Sequence, residues 1–434
     1  MGLGYDSQAR QRGQTIALVA VSMVSLLAVS ALAIDLTTLY VARSEIQHAA
    51  DAAALAGAKA FVDSGVTTDP SNASLQNLAQ NMANAFVTAT LSQNHVAGAA
   101  PSQVGRLTPN FTLAGNPRIT VTLQRTGLPL FFARIWGNAS ATVSASAIAE
   151  AYNPAYSQNN TTAFVPSAPK CVKPFLVPNY DKKGTPVFVN SSGAVNTAAG
   201  PFLGEKITLT SACSTKGPPS GCSLRGNPAM ASSGSGKNGE YLPMEVPDNH
   251  QYCPSTSATG CSQSGRSDFE KSIECCDGVQ FDFQQCGSSA TAATWDPSIN
   301  PGPPNLAAQE GIECLIHIPD QDRLDPSNFL ANTGPFKISP GPFSQTRYGV
   351  PASALIGTSD SIVAVPLFDN RGSFPGNQVR IVGFLQLFVN DVGPGRTDVN
   401  AYILNVVGCG DNSASGAAVS GGGSSPIPVR LIRN

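Results

Sequence analysis

Four histidines, ten cysteines and one glycine-rich segment are the features from which this chain could build chemistry. GSGKNG at 234–239 has the look of a phosphate-cradling loop, where backbone N–H groups and a lysine hold a nucleotide. Ala231 stands where the first glycine is needed and Asn238 where a magnesium-binding Ser or Thr belongs. The segment reads as an ordinary loop, and no nucleotide is expected. His48, His95, His250 and His317 show no paired metal spacing. His250 with Cys253 and Cys261 offers the nitrogen and sulfur that zinc takes, but disulfides are the expected fate of those sulfurs. Asp320, Asp322 and Asp325 in PDQDRLD offer oxygens to calcium, yet the loop glycine and closing glutamate of such a site are missing. A solvated turn is the simpler reading. No Gly-x-Ser-x-Gly elbow occurs. We therefore expect no catalytic residue, no metal, no cofactor and no enzymatic activity.

The cysteines carry more information. Cys171, Cys213, Cys222, Cys253, Cys261, Cys275, Cys276, Cys286, Cys314 and Cys409 all follow the first 170 residues. An even count confined to one segment predicts disulfides formed in an oxidising compartment. The pairing stays open, except that adjacent Cys275 and Cys276 should take different partners.

What must position these residues begins with the N-terminus. No charged residue lies between Arg12 and Asp35, and GQTIALVAVSMVSLLAVSALAI is long enough for a hydrocarbon core, which takes about 20 residues. Arg10 and Arg12 precede the run, so the positive-inside rule keeps residues 1–14 cytoplasmic and sends the remainder outward. The small-residue sequence SALA at 30–33 also permits cleavage after Ala33. We favour a retained anchor over 15–34, because the helical pattern runs on through Leu36, Leu39, Tyr40 and Val41. A net charge of −2 with 12% charged residues supplies no basic field for nucleic acid.

Beyond Asp35 the chain is alanine-rich and free of proline and glycine until Gly57, which predicts a continuing helix that stops at Asp63-Ser64-Gly65. Leu39, Ala42, Ile46, Ala49, Ala53, Ala56 and Ala60 recur every three or four residues as a seam of small side chains. Such a seam admits a close partner helix, or packs on the protein's own sheet.

The stretch from Arg12-Gly13-Gln14 through Ala33-Ile34-Asp35-Leu36, Leu39-Tyr40-Val41-Ala42-Arg43 and Gln47 to the run Ala49–Ala58 resembles the N-terminal signature of TadG-like proteins of the Tad (Flp) pilus-assembly system. Gly13, Asp35, Tyr40, Arg43, Gln47, Asp51 and Gly57 are the positions that carry it. The resemblance covers little more than the first tenth of the chain. It implies a non-enzymatic, pilin-related component of pilus biogenesis, single-pass in the inner membrane, whose partners are other pilin-like or Tad assembly proteins. Two departures limit it. Leu18 stands five positions after Gly13, where peptidase-processed pilins carry a glutamate, which argues against a polymerising major pilin. An Asp-x-Ser-x-Ser triplet, which holds a metal in some relatives, occurs here only as Asp411-Asn412-Ser413-Ala414-Ser415 inside the Gly/Ser run rather than within a von Willebrand-type domain, so that metal role is not carried over.

The rest of the fold reads as α+β. Asp69-Pro70 predicts the start of a second helix reaching about Leu91, and RITVTLQRT and ASATVSASAIAEAY alternate as strands. Between them LPLFFARIWG predicts a helical turn closed by Gly137. Together with the stem, residues 35–153 form a small pilin-like module. A linker at 154–170 leads to a cysteine-rich, mostly-β ectodomain at 171–409, loop-rich over 214–310. TPVFVNSSG, GEKITLTSAC, DSIVAVPLFD, VRIVGFLQLFVNDV and NAYILNVVGC read as its strands. VRIVGFLQLFVNDV is apolar on both faces and should be central, and Pro366 should place DSIVAVPLFD at an edge or a bulge. A Gly/Ser-rich tail occupies 410–434, ending in PIPVRLIRN, a further short strand. The expected function is anchoring and presentation of the exported domain by helix packing. The alternative is a membrane-anchored adhesin or carbohydrate-binding module, and an anchored hydrolase is least favoured.

Overall fold

The computed structural model describes residues 6–111, 116–137, 140–159, 167–199, 202–213, 222, 224–226, 228, 231–233, 236–253, 261–262, 264–279, 281, 286–291, 304–330, 336–393, 398–410 and 425–432. Parts of the linker (160–166), of the loop-rich stretch and of the Gly/Ser run (411–424) lie outside the described residues.

Helix α1 (Asp6–Asp63) is one unbroken rod, as its alanine-rich, proline-free sequence predicts. Gly65, at φ +74°, turns the chain out of it. The next helix starts later than expected. Asp69 is occupied in a local turn, accepting hydrogen bonds from the Ser71 amide and hydroxyl. Asn72 is the actual cap of α2 (Ala73–Gln93), accepting from the amides of Ser74 and Leu75.

Strands β1 (Ser102–Gln103), β2 (Arg118–Pro129) and β3 (Ser140–Ala151) form an antiparallel sheet against which α1 packs, with α2 beside it. The predicted turn between β2 and β3 is a short 3-10 helix, Ala133–Trp136, closed by Gly137 at φ +91°. At Gly57 helix and sheet approach closely: a Cβ there would lie 2.7 Å from Cδ1 of Ile119.

The ectodomain is built on a six-stranded closed barrel of β4 (Phe175–Pro178), β5 (Lys206–Ser211), β7 (Gly236–Pro243), β11 (Ile362–Phe368), β12 (Gln378–Val392) and β13 (Asp398–Gly408). The order runs β11-β4-β7-β5-β13-β12 and returns to β11, with parallel pairs at β11–β4 and β5–β7. Short strands β6 (Ala231–Ser233) and β8 (Ser289–Thr291) attach to β7 and β12. Short helices α3 (Asp268–Glu274), α4 (Pro304–Leu315), α5 (Ser327–Leu330) and α6 (Pro342–Tyr348), with the ribbon of β9 (Arg323–Asp325) and β10 (Lys337–Ser339), fill the connections.

β12 is central, as its two apolar faces require, and the reason is now visible. Leu385 and Leu387 belong to the barrel's own cluster with Phe175, Ile207, Tyr241 and Ile403. Ile381 and Phe384 join the cluster built on α1, α2, β2 and β3. Pro366 lies just before a register shift at Leu367/Phe368, where β11 also meets β4. Two expectations fail. GSGKNG is not simply a loop: Gly236–Gly239 begins β7, paired by β5 on one side and β6 on the other. TPVFVNSSG is not a strand, because the Asn179 side chain takes the role of a neighbouring strand. Its amide donates to Val189 O and its oxygen accepts from the amides of Phe188 and Val189.

The stem module and the barrel are joined by a buried polar knot. Asn405, 2% exposed on β13, donates to Val62 O (3.0 Å) and Gln386 Oε1 (2.6 Å) and accepts from the Thr67 hydroxyl (3.1 Å). Asn153, just after β3, donates to Thr67 O and to Val406 O. The end of the chain also returns to the stem module. Strand β14 (Val429–Ile432) pairs with β3, and buried Glu150 holds Arg118 and Arg430 together.

Candidate functional site

The site with the most unusual physical chemistry is the place where α1 becomes exposed. From Ile16 to Leu36 its large apolar side chains are bare, with Leu26 and Leu27 each 68% exposed, so the segment is long and apolar enough to cross a membrane. On one face the exposure ends one turn before Asp35, which is itself 3% exposed. Its carboxylate accepts three backbone hydrogen bonds, from Phe131 (2.9 Å), Phe132 (3.0 Å) and Ala133 (2.7 Å). One ionised side chain thereby caps the 3-10 turn between β2 and β3 and clamps it to the rod. In the sequence Asp35 stands out as the first charge after the apolar run and as a signature position, but its partners lie almost a hundred positions away.

One turn further on, Tyr40, Arg43, Ser44, Gln47 and His48 form one wall of an open recess, and Thr122, Ser144, Ala145 and Ser146 of the sheet form the other. Tyr40 is 78% exposed. Gln47 donates to Asp51 at 2.8 Å, an i,i+4 pair that steadies the helix surface. The signature positions thus divide by role: Asp35 clamps, Gly57 permits close packing, and Tyr40, Arg43 and Gln47 face outward. Gly13 lies on α1 near its start.

The seam is differently placed from a partner-binding surface. Ala42, Ile46, Ala49, Ala53 and Ala60 are buried in the core shared with α2 and the sheet, Leu39 packs against that core, and Ala56 is half-buried. Small side chains let the chain's own strands approach the rod, so this face is not available to another helix. Glu45, which no pattern singled out, accepts a bond from the Ala97 amide and ties the end of the α2 connection to the rod.

All ten cysteines are paired: Cys171–Cys276, Cys213–Cys222, Cys253–Cys275, Cys261–Cys314 and Cys286–Cys409. Adjacent Cys275 and Cys276 do take different partners. Cys253, Cys275 and Glu274 lie near one another, but the two sulfurs are bonded together and Glu274 is paired with Arg266.

Two of the histidines are held structurally. His250 bonds Asp277 between the rings of Tyr252 and Phe281, and His317 bonds Asp360 at 3.0 Å while stacked on Phe343. The three aspartates of PDQDRLD do not converge as a calcium site would need. Asp322 is buried and accepts from Gly341, Ser344 and Ser359, and Asp325 accepts from the Ser327 amide. Lys173 is buried, and burial pushes its pKa down to about 8 against the opposing pull of Asp360 and Glu274. Its Nζ donates to Cys275 O at 3.0 Å, bracing the disulfide-bearing segment.

Residues 13–60 match the family described as Flp pilus-assembly TadE/G-like, and residues 37–149 match the family described as Tad-like Flp pilus-assembly. No curated protein and no solved structure matches the chain. The matched residues include the exposed run, the Asp35 clamp, the recess and nearly all of the sheet through β3, while every strand of the barrel lies beyond both matches. Over residues 13–149 the chain is similar to the Tad-type families of Flp pilus assembly.

Proposed function

We propose that the protein is a non-enzymatic inner-membrane component of pilus assembly that anchors itself through α1 and holds a disulfide-bonded barrel rigidly on the outer side of the membrane. One observation carries this reading: the bare apolar run and the core helix of the folded module are the same uninterrupted helix. A rod fixed in lipid at one end and built into a core at the other transmits its orientation to the head. The knot around Asn405 makes that transmission stiff, because bending at the joint would unpair buried polar groups. Ten paired cysteines favour an oxidising compartment for the head, and Arg10 and Arg12 favour a cytoplasmic N-terminus.

Partner helices meet the rod on the outward face of Tyr40, Arg43 and Gln47, the part of the signature that the protein's own core leaves open. A photo-crosslinking residue at Tyr40 or Gln47, in cells assembling pili, is expected to yield an adduct with the N-terminal helix of another pilus-assembly protein. The same residue at Ala49 should yield none. Absence of adducts at both exposed positions would contradict the assignment of this face. Tyr40→Ala with Arg43→Glu is expected to reduce piliation while leaving the protein's abundance in the membrane unchanged.

A further inference from the structure

The turn clamped by Asp35 sits at the wrong height for a structure that stays in water. Cover of α1 begins before Asp35: Ala31, one turn earlier on the same face, is 8% exposed, whereas Val29 and Leu32 are 67% and 51% exposed. Ala28, three positions before Ala31, is already half-buried. A hydrocarbon core is about 30 Å thick and needs about 20 helical residues, which Thr15–Ile34 supply. Ending the span at Leu27, before the cover starts, would leave about 13 residues and roughly 20 Å, too short to cross. The face from Ala28 to Asp35 therefore lies within the bilayer boundary, together with the protein that covers it.

The composition of the turn agrees. Leu130-Phe131-Phe132-Ala133-Arg134-Ile135-Trp136 carries a single charge. Phe131 is 63% exposed, more than any other large apolar side chain described outside α1. Arg134 is exposed too, and a long basic side chain beside apolar ones can reach phosphate groups from the edge of the hydrocarbon. Backbone that enters lipid must have its amides satisfied internally, because no water is there to do so. The Asp35 carboxylate does this for three consecutive amides of the turn.

We propose that residues 130–136 are a membrane-interface finger, inserted into the headgroup and upper acyl region of the bilayer that α1 spans, on the side from which the stem emerges. The inference rests on α1 crossing the membrane. The finger adds a second contact with the same leaflet, beside the rod, and resists tilting of the stem.

The test uses the full chain in phosphatidylcholine vesicles with Trp136→Phe and Trp295→Phe, and a single tryptophan returned by Phe131→Trp, Leu26→Trp or Leu355→Trp. Leu355 is 61% exposed on the barrel side of the molecule and reports water. Phe131→Trp is expected to be quenched several-fold more strongly than Leu355→Trp by lipids brominated near the glycerol end of the acyl chains. Leu26→Trp should be quenched best by lipids brominated near the chain ends. Adding Asp35→Ala to Phe131→Trp should lower its quenching several-fold, because the turn loses its tether. Quenching of Leu26→Trp with Phe131→Trp no different from Leu355→Trp would overturn the finger while leaving the span intact. Failure to quench Leu26→Trp would overturn both.

Discussion

Replacing Asn405 with leucine should destabilise the full chain by about 3–5 kcal/mol, although the two side chains branch alike at Cγ. Leucine can donate nothing to Gln386 Oε1 and can accept nothing from Thr67, so both lose their partner at once, while Val62 O keeps the Gly65 amide. Each buried group left unsatisfied costs about 1–3 kcal/mol. The Val406 amide still has the Thr68 hydroxyl and the Asn153 contacts survive, which keeps the loss below the sum of the parts. Urea unfolding in detergent, followed by circular dichroism, measures the change. A loss under about 1 kcal/mol would show that the stem and barrel do not depend on the knot. The variant should also free the head from the rod, so that a spin label on the barrel reports a broader range of distances to one on the stem.

Removing the bridge between Cys286 and Cys409 should have an effect of similar size. This disulfide closes a sequence separation of 123 residues, and both cysteines are 6% exposed in the core that joins barrel and stem module. In the chain-entropy account a loop of that length contributes about 5 kcal/mol, whereas the separation of 9 residues between Cys213 and Cys222 contributes under about 3 kcal/mol. Cys286→Ala with Cys409→Ala is therefore expected to lower stability more than Cys213→Ala with Cys222→Ala. The location sharpens the expectation. Cys286 shortly precedes β8 and Cys409 immediately follows β13, so the bridge holds a peripheral strand and the end of a barrel strand together. Limited proteolysis of the first variant should cut around Ser289–Thr291 at concentrations that leave the wild type intact. Equal stability of the two double variants would contradict this ranking.

Much of this was legible in the sequence, because it depends on period and composition. The rod, the two long strands of the stem sheet and the three apolar strands of the barrel follow from alternation, from helix propensity and from their breakers. Closure of the barrel was not legible. It depends on β4 and β7, and β4 is only Phe175–Pro178, too short to show a period. Parallel pairings of β4 with β11 and β5 with β7 also leave no local turn signal. The seam of alanines was visible, but its occupant was not, because a strand and a second helix make the same demand for small side chains. The Asp35 clamp was hidden for a different reason. Its partners are backbone amides, which every residue but proline carries, so nothing in the composition of Phe131–Ala133 marks them as donors. That PIPVRLIRN forms a short strand was legible, but not that it pairs with β3, where Glu150 binds both Arg118 and Arg430.

One continuous rod that stays in the membrane and carries an oxidised head underlies the proposed function. The most direct measurement is the intact mass of the protein recovered from the membrane fraction after alkylation without prior reduction. We expect a chain that retains Thr15–Ile34 and carries no alkyl groups, with ten appearing only after reduction. A soluble product beginning after Ala33, or a membrane-bound chain that takes up alkyl groups before reduction, would contradict it.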